Sequence, residues 1–422
     1  MTLRVATALT DAGRESAVVR AVSEMPDAVV ARRCRDVVEL RAVGHSSQVD
    51  AVVVDGGLRG LDLDVVTGLA AAGVRCVVVG ARAGFGDVVR AVPTDLTGIA
   101  DALREPVAVA SNAPQAGAPV RSPAASTGRD GRVVVVWGPM GGPGRTTLAI
   151  ELAAALSDRG ADVMLVDLDT TGPSAAQLLG LLDDTSGVAA AARLAAAGRL
   201  DATALAGLAV SVPSGPRVLV GLPSPDRWTE LRPGATDELL RCARDVSEWT
   251  IVDIGPGIEG DDLAWLDTDV PQRFGAARAT LAAADLVVCV GRADPVGLTR
   301  LLRQVPTVGS LSPTALLEVV VNRAPSRGAA RQAHDLVSDV LGAPPQVVDD
   351  DGQSLQRAQL LGVPVRTVAP DASLSRAGDD LAERVIGQLG SYDRRRDQAR
   401  RTHRRLLRRA DSRHRRRDAG VV

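Results

Sequence analysis

The sequence predicts an α/β protein built as two doubly wound parallel-sheet domains with a basic C-terminal tail, and three observations carry that prediction. Short apolar runs alternate with helical stretches along most of the chain. A Pro/Ala/Ser/Gly stretch interrupts the alternation between Pro106 and Arg132. A glycine-rich turn, Trp137-Gly-Pro-Met-Gly-Gly-Pro-Gly-Arg-Thr-Thr147, follows a valine run and opens an alanine/leucine-rich stretch, the strand–loop–helix order of a phosphate-binding loop.

Over residues 1–105 the runs Leu3–Leu9, Ala28–Cys34, Ala51–Asp55 and Val74–Gly80 read as strands, and Glu15–Met25 and Leu63–Ala72 as helices. Residues 106–131 have too little apolar periodicity to bury a core and read as a flexible linker. From residue 132 to about 390 the alternation resumes, with strands expected at Val133–Val136, Val163–Asp167, Arg217–Gly221, Thr250–Asp253, Leu286–Val290, Glu318–Asn322 and Val363–Val368. Residues 391–422 form an arginine-rich tail.

Composition agrees with real cores in two or three domains: 422 residues, 45% of them hydrophobic but only 2% aromatic, so the cores must be Val, Leu and Ala. No apolar run approaches the roughly 20 residues of a membrane helix, and the amino terminus lacks a signal-peptide layout. The cytoplasm is the expected compartment. Cys34, Cys76, Cys242 and Cys289 lack metal or redox spacing and sit in or beside apolar segments, as buried free thiols do. The four histidines show no ligand spacing either. A formal charge of −2 hides an asymmetry, because thirteen arginines face four aspartates between Asp393 and Asp418.

In a phosphate-binding loop, glycines let backbone N–H groups curl round phosphates, a lysine reaches the β- and γ-phosphates, and a Ser/Thr hydroxyl holds Mg2+. Here Gly141, Gly142 and Gly144 supply the curl with Pro143 among them, and Thr146 supplies the hydroxyl with Thr147 beside it. Arg145 stands in the lysine position, Pro139 replaces the first glycine, and Met140 precedes the glycine pair. The chain contains no lysine at all: its 49 basic residues are all arginine. Arg145 keeps the charge, but its planar fork is bulkier than an ammonium, so binding should survive the exchange better than catalysis. Met140 is no product of that bias, since a lysine lost to it would have become arginine.

Carboxylates end the strands that follow. Val163–Asp169 closes on Asp167 and Asp169, and Trp249–Gly255 closes on Asp253 and Gly255. Ligands bind at strand carboxyl ends in open α/β sheets, where an aspartate can support Mg2+ and a glycine lets backbone approach a γ-phosphate. Ordinary strand-end turns would look similar one at a time. Their order behind the glycine loop favours the functional reading.

Taken together, these motifs resemble the ParA/MinD superfamily of deviant-Walker P-loop proteins, in particular its CpaE/TadZ-like branch, over residues 132–390. The family's K-G-G-x-G-K-[ST]-T loop is matched by Met140–Thr147 with both lysines missing, its V-D-x-D by Val166–Asp169, and its Walker B by Ile251–Gly257. Val321–Arg323 resembles the adenine-reading segment, and Gly362-Val-Pro-Val with the following Ala369–Ser373 resembles the closing strand and loop. The resemblance implies ATP and Mg2+ as cofactors. It would place Gly141, Gly142, Pro143, Gly144, Arg145, Thr146 and Thr147 round the phosphates, Gly255 near the γ-phosphate, and Asn322 and Arg323 at the base. Thr146 and Asp253 would support Mg2+, and Asp169 would orient the attacking water with Asp167 beside it. It also implies a nucleotide-dependent homodimer, in which the lysine matched by Met140 reaches the partner's phosphates as a finger worth about 10³ to 10⁵ in rate. Hydrolysis is therefore expected to be slow or absent.

Residues 1–105 resemble the flavodoxin-like, receiver-type domain of the same branch, with Asp55 at the phosphoacceptor position. Receivers hold Mg2+ with an acidic pair after the first strand and use a lysine on the last. Only Asp11 lies near the first strand here, so a degenerate receiver serving docking or dimerisation is expected. Trp228, in a Pro-rich loop with Arg227 and Arg232, either faces a partner or caps a core edge. The tail has three readings: peripheral attraction to anionic lipid at the inner face of the plasma membrane, contact with DNA or other nucleic acid, or a solvated run without a partner. Across the arginine run from Arg394 to Arg417 the apolar content, essentially Leu406, Leu407 and Ala410, is too small for insertion, and that run has no aromatic residue for stacking. Three function classes follow. The first is a nucleotide-switched protein that positions a Tad-type pilus or secretion apparatus, or the division septum, with a partner protein of that machinery. The others are an active ParA-like ATPase that moves DNA or other cargo, and a scaffold that binds no nucleotide.

Overall fold

A computed structural model describes residues 2–46, 48–58, 60–80, 89–104, 131–181, 186–213, 215–260 and 271–389. The expected linker and arginine-rich tail lie outside the described residues. The first sheet contains β1 (Leu3–Ala8), β2 (Ala28–Arg33), β3 (Ala51–Asp55), β4 (Arg75–Val79) and β5 (Val89–Val92), with α1 (Ala12–Ser23), α2 (Val37–His45), α3 (Leu63–Ala71) and α4 (Ile99–Arg104) interleaved. All its neighbours are parallel, in the order β2-β1-β3-β4-β5, which is the flavodoxin-like doubly wound order. Both faces are covered, and β3 and β4 are therefore almost continuous β-branched runs.

The second sheet has eight strands: β6 (Arg132–Trp137), β7 (Val163–Leu168), β8 (Val210–Ser211), β9 (Arg217–Leu219), β10 (Trp249–Ile254), β11 (Leu286–Arg292), β12 (Leu316–Ala324) and β13 (Gln346–Asp349). Their order is β13-β12-β11-β6-β10-β7-β9-β8, and only the β8–β9 edge pair is antiparallel. Between the strands run α5 (Arg145–Asp158), α6 (Ala175–Leu178), α7 (Gly187–Ala196), α8 (Ala202–Leu208), α9 (Pro233–Val246), α10 (Gly275–Ala282), α11 (Pro295–Leu311), α12 (Arg327–Leu341), α13 (Gly352–Leu361) and α14 (Val365–Val368), and a last helix spans residues 373–389. This is the P-loop NTPase fold. None of the described helices is long and apolar enough to cross a membrane.

The central strands place the chemistry. β10 lies between β6 and β7 in a register that sets Asp253 opposite Val136 on one side and Asp167 on the other. Beneath the strand ends, Trp137 is fully buried and its indole N–H donates to the Pro256 carbonyl at 3.3 Å, tying the start of the glycine loop to the turn after β10. The four cysteines are buried free thiols, as expected. The two sheet units meet at α3 and α9, where the Asp64 carboxylate accepts the Gly234 N–H at 2.8 Å and Asp62 pairs with Arg232 at 3.3 Å.

One strand expectation fails. Val363–Val368 is no strand: Gly362 ends α13 at φ +63°, Pro364 starts a new turn, and Val365–Val368 is helical. A short apolar run cannot distinguish a strand from a buried helical turn, and the deciding contact is remote. Glu151, inside α5, accepts the Val365 N–H at 2.5 Å through Oε1, leaving Oε2 buried without a partner. Burial pushes this carboxyl up to about 7, against the pull of the Val365 N–H and the Arg366 charge. Its folded value lies above the unfolded value of 4.5, so its contribution is full below 4.5 and is lost as pH climbs through 7. Urea titrations of the wild type and Glu151→Gln from pH 5 to 8.5 should therefore diverge, the wild type losing about 2 to 3 kcal/mol relative to the variant. Parallel curves would show that Glu151 does not hold its proton.

Candidate functional site

The glycine loop runs from the end of β6 into α5. Gly141, Gly142 and Gly144 have φ of +119°, +64° and +97°, and a β-carbon on Gly144 would collide with Asn322 Nδ2. Only glycine fits there without strain. Many helices of the chain are capped by an Asp or Ser side chain, as α1 is by Asp11 and α11 by Asp294. By contrast, α5 begins at Gly144 with no side-chain cap, leaving first-turn N–H groups and the positive end of the helix dipole for an anion.

Three buried carboxylates stand at the neighbouring strand ends, Asp169 lining the cleft and Asp167 and Asp253 packed behind it, and each has different company. Asp167 accepts from the backbone N–H groups of Asp169, Ser174 and Ala175 at 3.0 to 3.1 Å, so its charge fixes the turn leading into α6. Asp169 accepts from the Thr171 N–H and hydroxyl and the Gly172 N–H through Oδ1, while Oδ2 meets Arg145 Nη2 at 3.2 Å. Asp253, fully buried, accepts the Thr146 hydroxyl at 2.5 Å through Oδ2, and its Oδ1 has no hydrogen-bond partner among the described residues. Burial and the neighbouring charges of Asp167 and Asp169 push Asp253 well above the usual carboxylate range, against the pull of the Thr146 hydroxyl and Arg145. Asp167 is also raised, chiefly by burial.

Arg145 does not project freely into the cleft. Its Nη1 donates to the Gly138 and Pro139 carbonyls at 3.2 and 3.4 Å, while its Nε is buried without a partner. Gly255 approaches Asp169 so closely that a β-carbon on it would lie 2.6 Å from Oδ1. Asn322 donates from Nδ2 to the Pro143 carbonyl at 2.9 Å and accepts the Arg323 N–H through Oδ1. Arg323 adopts φ +62° and pairs with Asp350 at 3.4 Å. Loop residues Gly142 to Thr147, Asp169, Asn322 and Arg323 thus share one cleft of about 380 Å3, a volume within the usual range of small-ligand sites.

The residues fit a hard dication. Asp253 offers an unused buried oxygen beside the Thr146 hydroxyl, and Ser174 reaches that hydroxyl at 3.2 Å. Among the described residues no cluster of three or more His, Cys, Asp or Glu forms a protein-only metal cage. Such a donor set suits Mg2+, which commonly takes one or two carboxylates and completes its shell with waters and ligand phosphates.

Sequence reasoning missed several neighbours. Ser174 has no motif around it. Arg273, 5.1 Å from the Trp228 ring centroid and 5.5 Å from that of Phe274, donates to the hydroxyl and carbonyl of Thr170; Trp228 itself packs on the core edge. The run Asp349 to Asp351, which lines the far end of the cleft, was a readable signal at a strand end.

Residues 131–197 match the family model described as ParA: NUBPL iron-transfer P-loop NTPase. An uncharacterized ATP-binding protein of Methanocaldococcus jannaschii is 22% identical over 250 residues, 58% of this chain and 84% of its own length. An uncharacterized protein of Mycobacterium tuberculosis is 31% identical over 226 residues, 52% of this chain and 56% of its own, so the chain spans little more than half of that relative. Among solved structures, the ParA family ATPase of Chlorobium tepidum aligns with a TM-score of 0.49 at 22% identity, over 60% of this chain and 98% of that one.

At the strand ends of the second sheet, three buried carboxylates held close together should be costly. Asp253→Asn keeps an acceptor for the Thr146 hydroxyl and removes a buried charge facing two others. Thermal melts of the ligand-free protein at pH 8 should show the variant more stable by about 1 to 3 kcal/mol. A less stable variant would mean that the carboxylate is already compensated.

Proposed function

We propose that the chain is a nucleotide switch that binds ATP with Mg2+ in the cleft of the second domain. The observation that carries this reading is the unpartnered buried oxygen of Asp253 beside the Thr146 hydroxyl, at the mouth of an uncapped helix. Gly141, Gly142, Pro143, Gly144, Arg145, Thr146 and Thr147 would surround the phosphates, Gly255 would let the backbone approach the γ-phosphate, and Asn322 and Arg323 would stand at the base. Bound Mg2+ would supply charge neutralisation between the phosphates, held by Thr146 with support from Asp253. Asp169 would orient water, while Asp167 holds the turn that carries Asp169.

Turnover is slow on this reading. Met140, 69% exposed at the loop, brings no charge to a partner's phosphates, and Arg145 is committed to Asp169 and two carbonyls. The protein then works by binding and nucleotide-dependent homodimerisation, as a cytoplasmic positioning factor of the ParA/MinD/CpaE kind serving a pilus or secretion apparatus or the septum. Inward-turned Arg145 is also the observation favouring the second reading, a scaffold that binds no nucleotide. The first domain acts as a docking module: Asp55 is 4% exposed and is already met by the Thr10 hydroxyl at 2.6 Å and Arg14 at 3.1 Å, while Asp11 is spent capping α1. Burial raises the Asp55 carboxyl, but these hydrogen bonds and the Arg14 charge outweigh it and leave it below its ordinary value.

Calorimetry of the full chain with ATP·Mg2+ should give saturable heat that Thr146→Ala reduces at least tenfold in affinity, roughly the loss of one charge-assisted contact. No heat at millimolar nucleotide would leave the scaffold reading. Two arginine-rich tails per dimer would add avidity on an anionic surface, each basic residue contributing about 1 kcal/mol near an anionic membrane. Co-sedimentation with anionic vesicles should therefore rise with ATP and collapse in high salt, and should vanish on truncation after Tyr392. Retention on neutral vesicles in high salt would contradict the electrostatic attachment, and preference for duplex DNA would favour an active ParA-like partitioning ATPase.

A further inference from the structure

Cations around the phosphate loop are mostly committed. Arg145 is paired with Asp169 at 3.2 Å, Arg323 with Asp350 at 3.4 Å and Arg292 with Asp294 at 2.8 Å. Asp167 and Asp253 add further buried carboxylates at the neighbouring strand ends. A polyphosphate entering this cleft meets a carboxylate-rich wall. It needs positive charge beyond the dication.

Arg300 stands apart from these pairs. It is exposed, lies in the second turn of α11, and forms no ion pair with any described carboxylate. Its Nη1 donates to the Met140 carbonyl at 3.0 Å and lies 3.2 Å from where a β-carbon on Gly141 would be. Beside this contact is a second hollow of about 90 Å3, lined by Met140, Gly141, Arg292, Gly297 and Arg300 among others.

The peptide geometry gives the contact a consequence. A trans peptide is planar, with its N–H pointing opposite its C=O. The Met140 carbonyl faces Arg300, so the Gly141 N–H faces away from that hollow. Gly141 and Gly142 both have positive φ and no side chain, which leaves the crest with little other restraint against a peptide flip.

Resting on the nucleotide reading above, we propose that Arg300 is the positioning residue of the loop crest and adds positive charge to the chain's own loop from α11. Its hydrogen bond holds the Met140–Gly141 peptide in one orientation. Its guanidinium lowers the cost of bringing phosphate to the loop, which is an electrostatic effect and therefore weakens with salt.

Calorimetry of the full chain with ATPγS·Mg2+, at low and high salt, tests this with Arg300→Met, Arg300→Gln and Arg300→Lys. An exposed residue should be replaceable without loss of the thermal midpoint. Arg300→Met should bind about tenfold more weakly at low salt, and its affinity should depend less on salt than that of the wild type. Arg300→Gln, a donor without charge, should recover part of the loss while keeping the flattened salt dependence. Arg300→Lys, a donor with charge, should approach the wild type. Wild-type affinity and salt dependence in both the Met and Gln variants would overturn the assignment while leaving the nucleotide reading intact. Failure of the wild type itself to bind ATPγS would remove both.

Discussion

Negative charge buried at the ends of two neighbouring strands is the constraint around which the second domain is arranged. Asp167, Asp169 and Asp253 are each at most 2% exposed, and the parallel register of β7 and β10 fixes two of them side by side. Buried carboxylates that lack hydrogen bonds or counter-charge are expensive, so each must be answered. Backbone N–H groups answer Asp167, and Arg145 with the 171–172 turn answers Asp169. Among the described residues, Asp253 receives one hydroxyl and no more. A dication carried in with a polyphosphate would supply the missing positive charge, and the uncapped start of α5 would receive the anion.

The absence of lysine gives this arrangement its particular character. A planar guanidinium can serve several acceptors at once, and Arg145 does so, joining the loop's own carbonyls to Asp169. A single ammonium would have less reach across that span. On the proposed reading, an incoming phosphate competes with Asp169 for Arg145, so occupancy of the loop is felt at the turn after β7. The same competition lowers affinity, because part of the phosphate's gain is spent on breaking an existing pair.

Much of this was legible in the sequence where the physics is local. Strands buried on both faces must be apolar throughout and must end in polar turn residues, which exposed Asp167, Asp169 and Asp253 as strand-end groups. The glycines of the loop announced themselves because positive φ and close approach leave no other residue type. Val363–Val368 misled because its helical turn is set by Glu151, a residue more than two hundred positions away. The short edge strands β5 and β13 carried too little apolar pattern to be read. Arg300 and Arg273 were invisible for another reason: in a chain whose every base is arginine, one placed at the site has the same sequence appearance as one on a solvated face.

Hydrogen exchange of the full chain with and without ATPγS·Mg2+ tests the central claim most directly, because the glycine loop and the turn after β7 can be followed separately. The account predicts slower exchange over residues 138–147, where backbone N–H groups would meet phosphate, together with a change over 167–175 as Arg145 is drawn from Asp169. It further predicts that both effects require Mg2+. Unchanged exchange in these two segments at saturating nucleotide, or protection confined to some other part of the chain, would contradict it.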